Sequence, residues 1–240
     1  MTSRGSDAPG AVTVLPVTGI GEVRRGDDVA TLIAERVALL DGDVVVVTQK
    51  IVSKSEGQMV PVDADDPADR MRVVEAESVR VLRRRGDLVI SETRHGFVCA
   101  NAGVDLSNVE RGWAALLPED SDRSARRIRD GLRAATGRQV AVIVSDTFGR
   151  PWRKGVVDVA IGCAGIAAVV DLRGTADANG RDLVATEVCV ADEIASAAEL
   201  VMGKAASVPV AVVRGVDHSW LRRGSVADEI LRPPAEDLFR

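Results

Sequence analysis

The run DVVVVT at residues 43–48 constrains this 240-residue chain more than any other stretch. A strand with one solvated face alternates apolar and polar residues, whereas a continuous β-branched run marks a strand buried in a sheet. Helical patterns surround it. DDVATLIAERVALL spaces Val29, Leu32, Ile33, Val37 and Leu40 near a 3.6-residue period, with Asp27 as its N-cap. Residues 67–85 read as one charged amphipathic helix with a proline in its first turn. Residues 121–136 read as another, closed by Gly137.

Further strand patterns follow in turn. DLVISET and GFVCAN flank Arg94-His95-Gly96 as a hairpin. Residues 139–145 and 208–213 predict strands, as does 183–190. The stretch 156–172 is long and apolar, and DANGRD at 177–182 is a turn. Residues 191–202 predict a helix ended by Gly203, and 225–231 a short last one. The class is therefore α/β with a mixed sheet. No linker or composition shift divides the chain, so 11–240 is read as one domain after a disordered tail at 1–10.

Composition excludes several functions. Apolar residues make up 46% and charged residues 28%, as in an ordinary globule. Net charge is −5, and three Phe, three Trp and no Tyr offer few stacking platforms, so no nucleic-acid partner is expected. No apolar run approaches the roughly 20 residues that cross a bilayer, so no membrane partner is expected. Cys99, Cys163 and Cys189 lie in apolar settings without metal-knuckle spacing, which suits reduced core thiols of a cytoplasmic protein. Phosphate-loop, dinucleotide, serine-hydrolase and zinc-protease signatures are missing. With only His95 and His218, chemistry must rest on carboxylates, lysines or a metal.

Four stretches place polar groups where a core would not need them. In VVVVTQKIVSKSEG a buried strand runs into Thr48, Gln49, Lys50, Ser53 and Lys54. Ligands of such sheets collect beyond strand carboxyl ends, and these groups suit phosphate oxygens; a solvated loop is the plain alternative. CANAGVDLSNVERG gathers Asn101, Asp105, Ser107 and Asn108, either hard-cation ligands or an Asx-turn loop. SDTFGRPWRKGVV ends a buried strand on Asp146 and Thr147, with Gly149 and Pro151 turning the chain away. Arg150, Arg153 and Lys154 follow. A metal aspartate beside anion-binding cations fits a nucleotide-triphosphate site, and an Asp–Arg structural pair fits as well. Last, ATEVCVADEIASAAELVMGKAA carries Glu187 in a strand and Asp192 and Glu193 at a helix start, where acids favour the dipole.

Taken in order, VVVVTQKIVSKSEG, HGFVCANAGVDLSNV, SDTFGRPWRKGVVDVAIGCAGI and TEVCVADEIASAAELVMGK resemble the coenzyme F420:L-glutamate ligases, over roughly residues 12–233. The resemblance is to the ligase part, without the C-terminal nitroreductase-like domain that some members carry. It implies an interwoven homodimer of the ligase fold and a GTP-dependent reaction with Mg2+ or Mn2+. GTP activates the carboxylate of coenzyme F420-0, or F420-1, as an acyl phosphate. The amine of L-glutamate then displaces phosphate. The resemblance assigns metal contacts to Asp105, Asp146 and Thr147. It assigns nucleotide contacts to Ile20, Gly21, Glu22, Val23, Thr48, Gln49, Lys54, Asn108, Met202, Gly203 and Lys204, with Asp146 and Lys54 the catalytic pair. Arg150, Arg153 and Lys154 are expected on a substrate phosphate or carboxylate, and Glu187 is a speculative base for the amine. Some members have a glutamate where this chain has Lys204. Two other readings stay open: the same chemistry on another carboxylate acceptor, and a non-catalytic guanine-nucleotide-binding homologue.

Overall fold

The computed structural model describes residues 10–63 and 65–238; the expected tail, Gly10 apart, lies outside them. In chain order the first half comprises β1 (Thr13–Pro16), α1 (Val29–Ala34), β2 (Val44–Thr48), α2 (Gln49–Glu56), β3 (Met59–Pro61), α3 (Pro67–Ala76), β4 (Ser78–Arg85), β5 (Leu88–Thr93), β6 (Val98–Ala100) and β7 (Trp113–Ala115). The second half comprises α4 (Ser121–Thr136), β8 (Ala141–Arg150), β9 (Arg153–Ala164), β10 (Val170–Asp171), β11 (Glu187–Val188), α5 (Val190–Met202), β12 (Val210–Arg214) and α6 (Val226–Glu229).

The main sheet runs β1-β12-β2-β8-β9. Only the central β2/β8 pair is parallel, with Thr48 beside Ser145 at its carboxyl end. The other neighbours are antiparallel, which makes the sheet mixed, as the alternating patterns imply. Val44, Val45, Val46 and Val47 are all fully buried, so both faces of β2 are covered. Helix α4 packs on β8 and β9, and α5 on β9, β1 and β12. Gly162 lets α4 approach: a Cβ there would lie 2.3 Å from the carbonyl carbon and oxygen of Ser121. A smaller three-stranded sheet, β4-β5-β6, and the β3-β7 pair sit over a second apolar cluster.

Two buried acids tie this frame together. Asp43 accepts two hydrogen bonds from Arg214 at 2.8 Å, fixing β2 to β12. Asp122, in the first turn of α4, accepts from the backbone N–H groups of Cys163 (2.8 Å), Val226 (3.0 Å) and Ala227 (3.1 Å). It therefore holds β9 and α6 on one carboxylate.

Several expectations need correction. The pattern at 67–85 is a helix only to Ala76. Ser78 Oγ then donates to the Val74 carbonyl, and 78–85 pairs with β5 as a strand. The charged run carries valines at 79 and 81, and its partner strand decides its form. The α1 cap is Asp28, which accepts from Ala30 N and Thr31 Oγ1, while Asp27 accepts from Arg24 N. That helix stops at Ala34, short of Val37 and Leu40. Of 183–190 only Glu187 and Val188 form a strand, because Val190 already begins α5. The polar stretch after β2 is the helix α2 and no loop. Strand β8 runs through Gly149 to Arg150, and the chain turns only at Pro151-Trp152, with Trp152 at φ 59°. Strands β1, β3 and β7 have no clear pattern in the sequence.

Candidate functional site

Four segments converge at the carboxyl edge of β2 and β8. The register of the β8/β9 hairpin sets Thr147 opposite Asp158, and paired residues of antiparallel strands share a face. Thr147 Oγ1 donates to Asp158 Oδ1 at 2.6 Å, and Ser145 Oγ donates to Oδ2 at 3.1 Å. Asp158 is 1% exposed. From the carboxyl end of α5, Lys204 Nζ reaches Asp158 Oδ1 at 3.0 Å, Glu199 Oε1 at 3.2 Å and the Thr147 hydroxyl. Burial pulls the Lys204 pKa down, but Asp158 and Glu199 outweigh it, and the net shift is upward.

The other side of the cluster comes from α2 and the 101–108 loop. Lys50 and Lys54 lie one turn apart on α2 and so share a face. Lys50 Nζ pairs with Asp105 Oδ2 at 2.8 Å and donates to Ser107 Oγ at 2.9 Å. Lys54 Nζ pairs with Glu22 and donates to the Asn108 carbonyl at 3.0 Å. Asn108 has φ 52°, a left-handed turn that asparagine tolerates, and its Nδ2 reaches the Lys204 carbonyl at 3.5 Å. Burial raises the Asp105 pKa, but hydrogen bonds from Lys50 and Ser107 leave it below the usual carboxylate value.

Asp146 differs from its neighbours. Part of its surface stays open, yet it sits deep in the fold, and desolvation pushes its pKa up to about 7. The Thr147 backbone N–H opposes that shift, while Asp105 and Asp158 add to it through like charge and Lys204 partly offsets them. Among the described residues, no lysine or arginine forms an ion pair with Asp146, so the Asp–Arg alternative does not hold. Arg150 instead donates to the Lys154 carbonyl at 2.9 Å inside the hairpin.

Of the residues singled out from sequence, one bonded network joins Glu22, Lys54, Asn108, Lys204 and Thr147, and a separate one joins Lys50, Asp105 and Ser107. Asp146 lies within electrostatic reach of both. Ile20, Val23, Gln49 and Met202 are buried, and Gln49 Oε1 accepts from Ser53 Oγ. Gly21 is exposed beside Glu22, Thr48 is half-buried, and Gly203 ends α5. Arg153 and Lys154 are exposed at the start of β9. Glu187 stands apart in the β10-β11 ladder, paired with Arg173 at 3.2 Å. Asp192 accepts from Ala160 N at 2.8 Å, a structural bond. Asp158 and Glu199 were not anticipated. The signal for Asp158 was an acid in the apolar stretch VVDVAIG; its partner only becomes evident once the hairpin register is known.

The three cysteines are unpaired, and burial pushes each thiol up to about 12. Among the described residues no three His, Cys, Asp or Glu side chains gather as a complete metal cage, and no helix is long and apolar enough to cross a membrane. Apart from the carboxylates paired with Lys204, the donors are those of Asp105, Asp146 and Thr147, two carboxylates and a hydroxyl. That set fits a hard cation completing its shell with water and phosphate oxygens.

Fold and site together define an α/β protein with a cluster of acids and lysines at the carboxyl edge of its sheet, where such folds bind ligands. Sequence comparison narrows the class. Residues 19–215 match the family model for F420-0:gamma-glutamyl ligase. The chain is 45% identical to the coenzyme F420:L-glutamate ligase of Methanothermobacter thermautotrophicus, over 95% of this chain and 99% of that protein. It is 45% identical to the protein of that name from Methanopyrus kandleri, over 94% and 96%. Against the one from Archaeoglobus fulgidus it is 40% identical, over 95% and 96%. The chain belongs to the F420-0:gamma-glutamyl ligase family.

Proposed function

We propose that this chain is a GTP-dependent ligase that joins L-glutamate to coenzyme F420-0, and then to F420-1, by γ-glutamyl amide bonds. The supporting observation is the convergence of residues from separate stretches at one edge of the sheet within a chain of this family. The acceptor carboxylate attacks the γ-phosphate of GTP, giving an acyl phosphate and GDP. The neutral glutamate amine then attacks the acyl carbon, phosphate leaves with the C–O electron pair, and the amine's surplus proton is released to water.

The residues divide the task. Lys54 neutralises phosphate oxygens once Glu22 gives way, and Asn108 and the 20–23 segment border the nucleotide. Asp105, Asp146 and Thr147 hold Mg2+ or Mn2+, which supplies charge neutralisation on the phosphates. Arg150, Arg153 and Lys154 extend the positive surface toward the acceptor. Positioning and electrostatics lower the barrier, and no histidine is required. The homodimer belongs to the same reading. Leu88 and Val98 share one face of β5-β6 and are exposed, apolar positions that a second copy would cover.

The test is incubation with GTP, Mg2+ or Mn2+, L-glutamate and the unglutamylated coenzyme. Mass spectrometry should show products growing by one glutamyl residue per step. Absence of both products and GTP hydrolysis overturns the reading. GTP binding without phosphate release favours the non-catalytic homologue, and GTP-dependent ligation of a different carboxylate favours another acceptor.

A further inference from the structure

Lys204 occupies an unusual position. Its ammonium meets oxygens from three separate elements: the Thr147 hydroxyl of β8, Asp158 Oδ1 of β9 at 3.0 Å and Glu199 Oε1 of α5 at 3.2 Å. Asp158 is almost wholly buried, so this carboxylate requires a compensating cation. The lysine side chain, in contrast, is 56% exposed, so its charge is not sequestered by the fold. It arrives from the loop after α5, where Asn108 contacts its carbonyl. The oxygens belong to the sheet and helix; the cation belongs to a loop.

We propose that Lys204 is a tethered cation filling a cation position beside Asp146. This chain would then take one divalent ion, where the same cage with a carboxylate at 204 would take a second. The inference rests on reading Asp105, Asp146 and Thr147 as the ligands of the first ion. Asp158 and Glu199 supply two carboxylates, and a third at position 204 would complete the three-acid group that the described residues lack. A lysine whose only role is to balance Asp158 would leave the metal count unchanged on replacement by glutamate.

The test counts Mn2+ bound to the full chain, by titration against the electron paramagnetic resonance signal of the free ion, without nucleotide. The wild type should bind one Mn2+ per chain and Lys204→Glu two. Lys204→Ala, which vacates the cage, should bind a second ion about tenfold or more weakly than Lys204→Glu does. Lys204→Glu combined with Asp146→Asn should fall back to one. Two ions on the wild type, or no gain in either Lys204 variant, overturns the proposal. If Lys204→Glu does not fold, the gain or its absence in Lys204→Ala decides. No ion on the wild type with one gained in Lys204→Glu would refute the Asp105–Asp146 ligand reading while supporting the cage.

Discussion

Replacing Asp146 by asparagine should stabilise the protein in the absence of metal while destroying its activity. The folded-state pKa of Asp146 is raised from 3.8 to about 7, mainly by desolvation. An Asp in the unfolded chain titrates near 3.9. Between those values the folded state holds a proton that the unfolded state has released, so stability falls as pH rises through that window. Below about pH 4 both states are protonated and the cost vanishes; above pH 7 it is complete. A shift of about three pH units corresponds to about 4 kcal/mol at most. Part of Asp146 remains open to solvent, which makes that figure a ceiling. Asparagine has the same shape and no charge to desolvate. The assay is urea unfolding of both proteins from pH 4 to 8 in a chelator. The curves should coincide near pH 4 and separate toward pH 8, with the variant more stable. Added Mn2+ should then stabilise the wild type and leave the variant unmoved. Parallel curves across the whole range would refute the reasoning.

Three other changes test the frame and the site. Lys54→Met should raise the KM for GTP by about tenfold to a hundredfold, the worth of a charge-assisted hydrogen bond, and an unchanged KM in initial-rate measurements would remove Lys54 from the nucleotide site. Arg214→Met leaves Asp43 buried without its cation and should cost about 3 kcal/mol, the low end for such pairs because Arg214 is itself partly open to water; the urea midpoint measures it. Gly162→Ala drives a methyl into the backbone of Ser121 and should cost about 3 kcal/mol by the same measurement, with α4 displaced from β9.

Patterns carried by local periodicity were legible in advance. The valine run became the fully buried β2, and 121–136 became α4 with Gly137 at its C-cap. Errors came where a partner decides the form. Residues 78–85 look helical from charge spacing alone, and become a strand because β5 offers them a ladder. Asp158 was missed for a related reason. Its meaning lies in standing opposite Thr147, and that register depends on a Pro151-Trp152 turn and two irregularities in the ladder. Such a turn lacks the Asn-Gly signature that would announce a hairpin.

The same logic separates structural acids from functional ones. Asp43 and Asp146 look alike in sequence, since each borders a valine-rich strand of the central parallel pair. Asp43, at the amino end of β2, is held by two bonds from Arg214 and has nothing further to bind. Asp146, near the carboxyl end of the pair, has no ion pair among the described residues, and two neighbouring carboxylates raise its proton affinity further. Folding left to itself would favour an apolar residue or a paired charge there. An acid at that position, with the lysines beside it committed to Asp105, Glu22 and Asp158, contributes nothing to folding and is what the proposed metal-binding role would require.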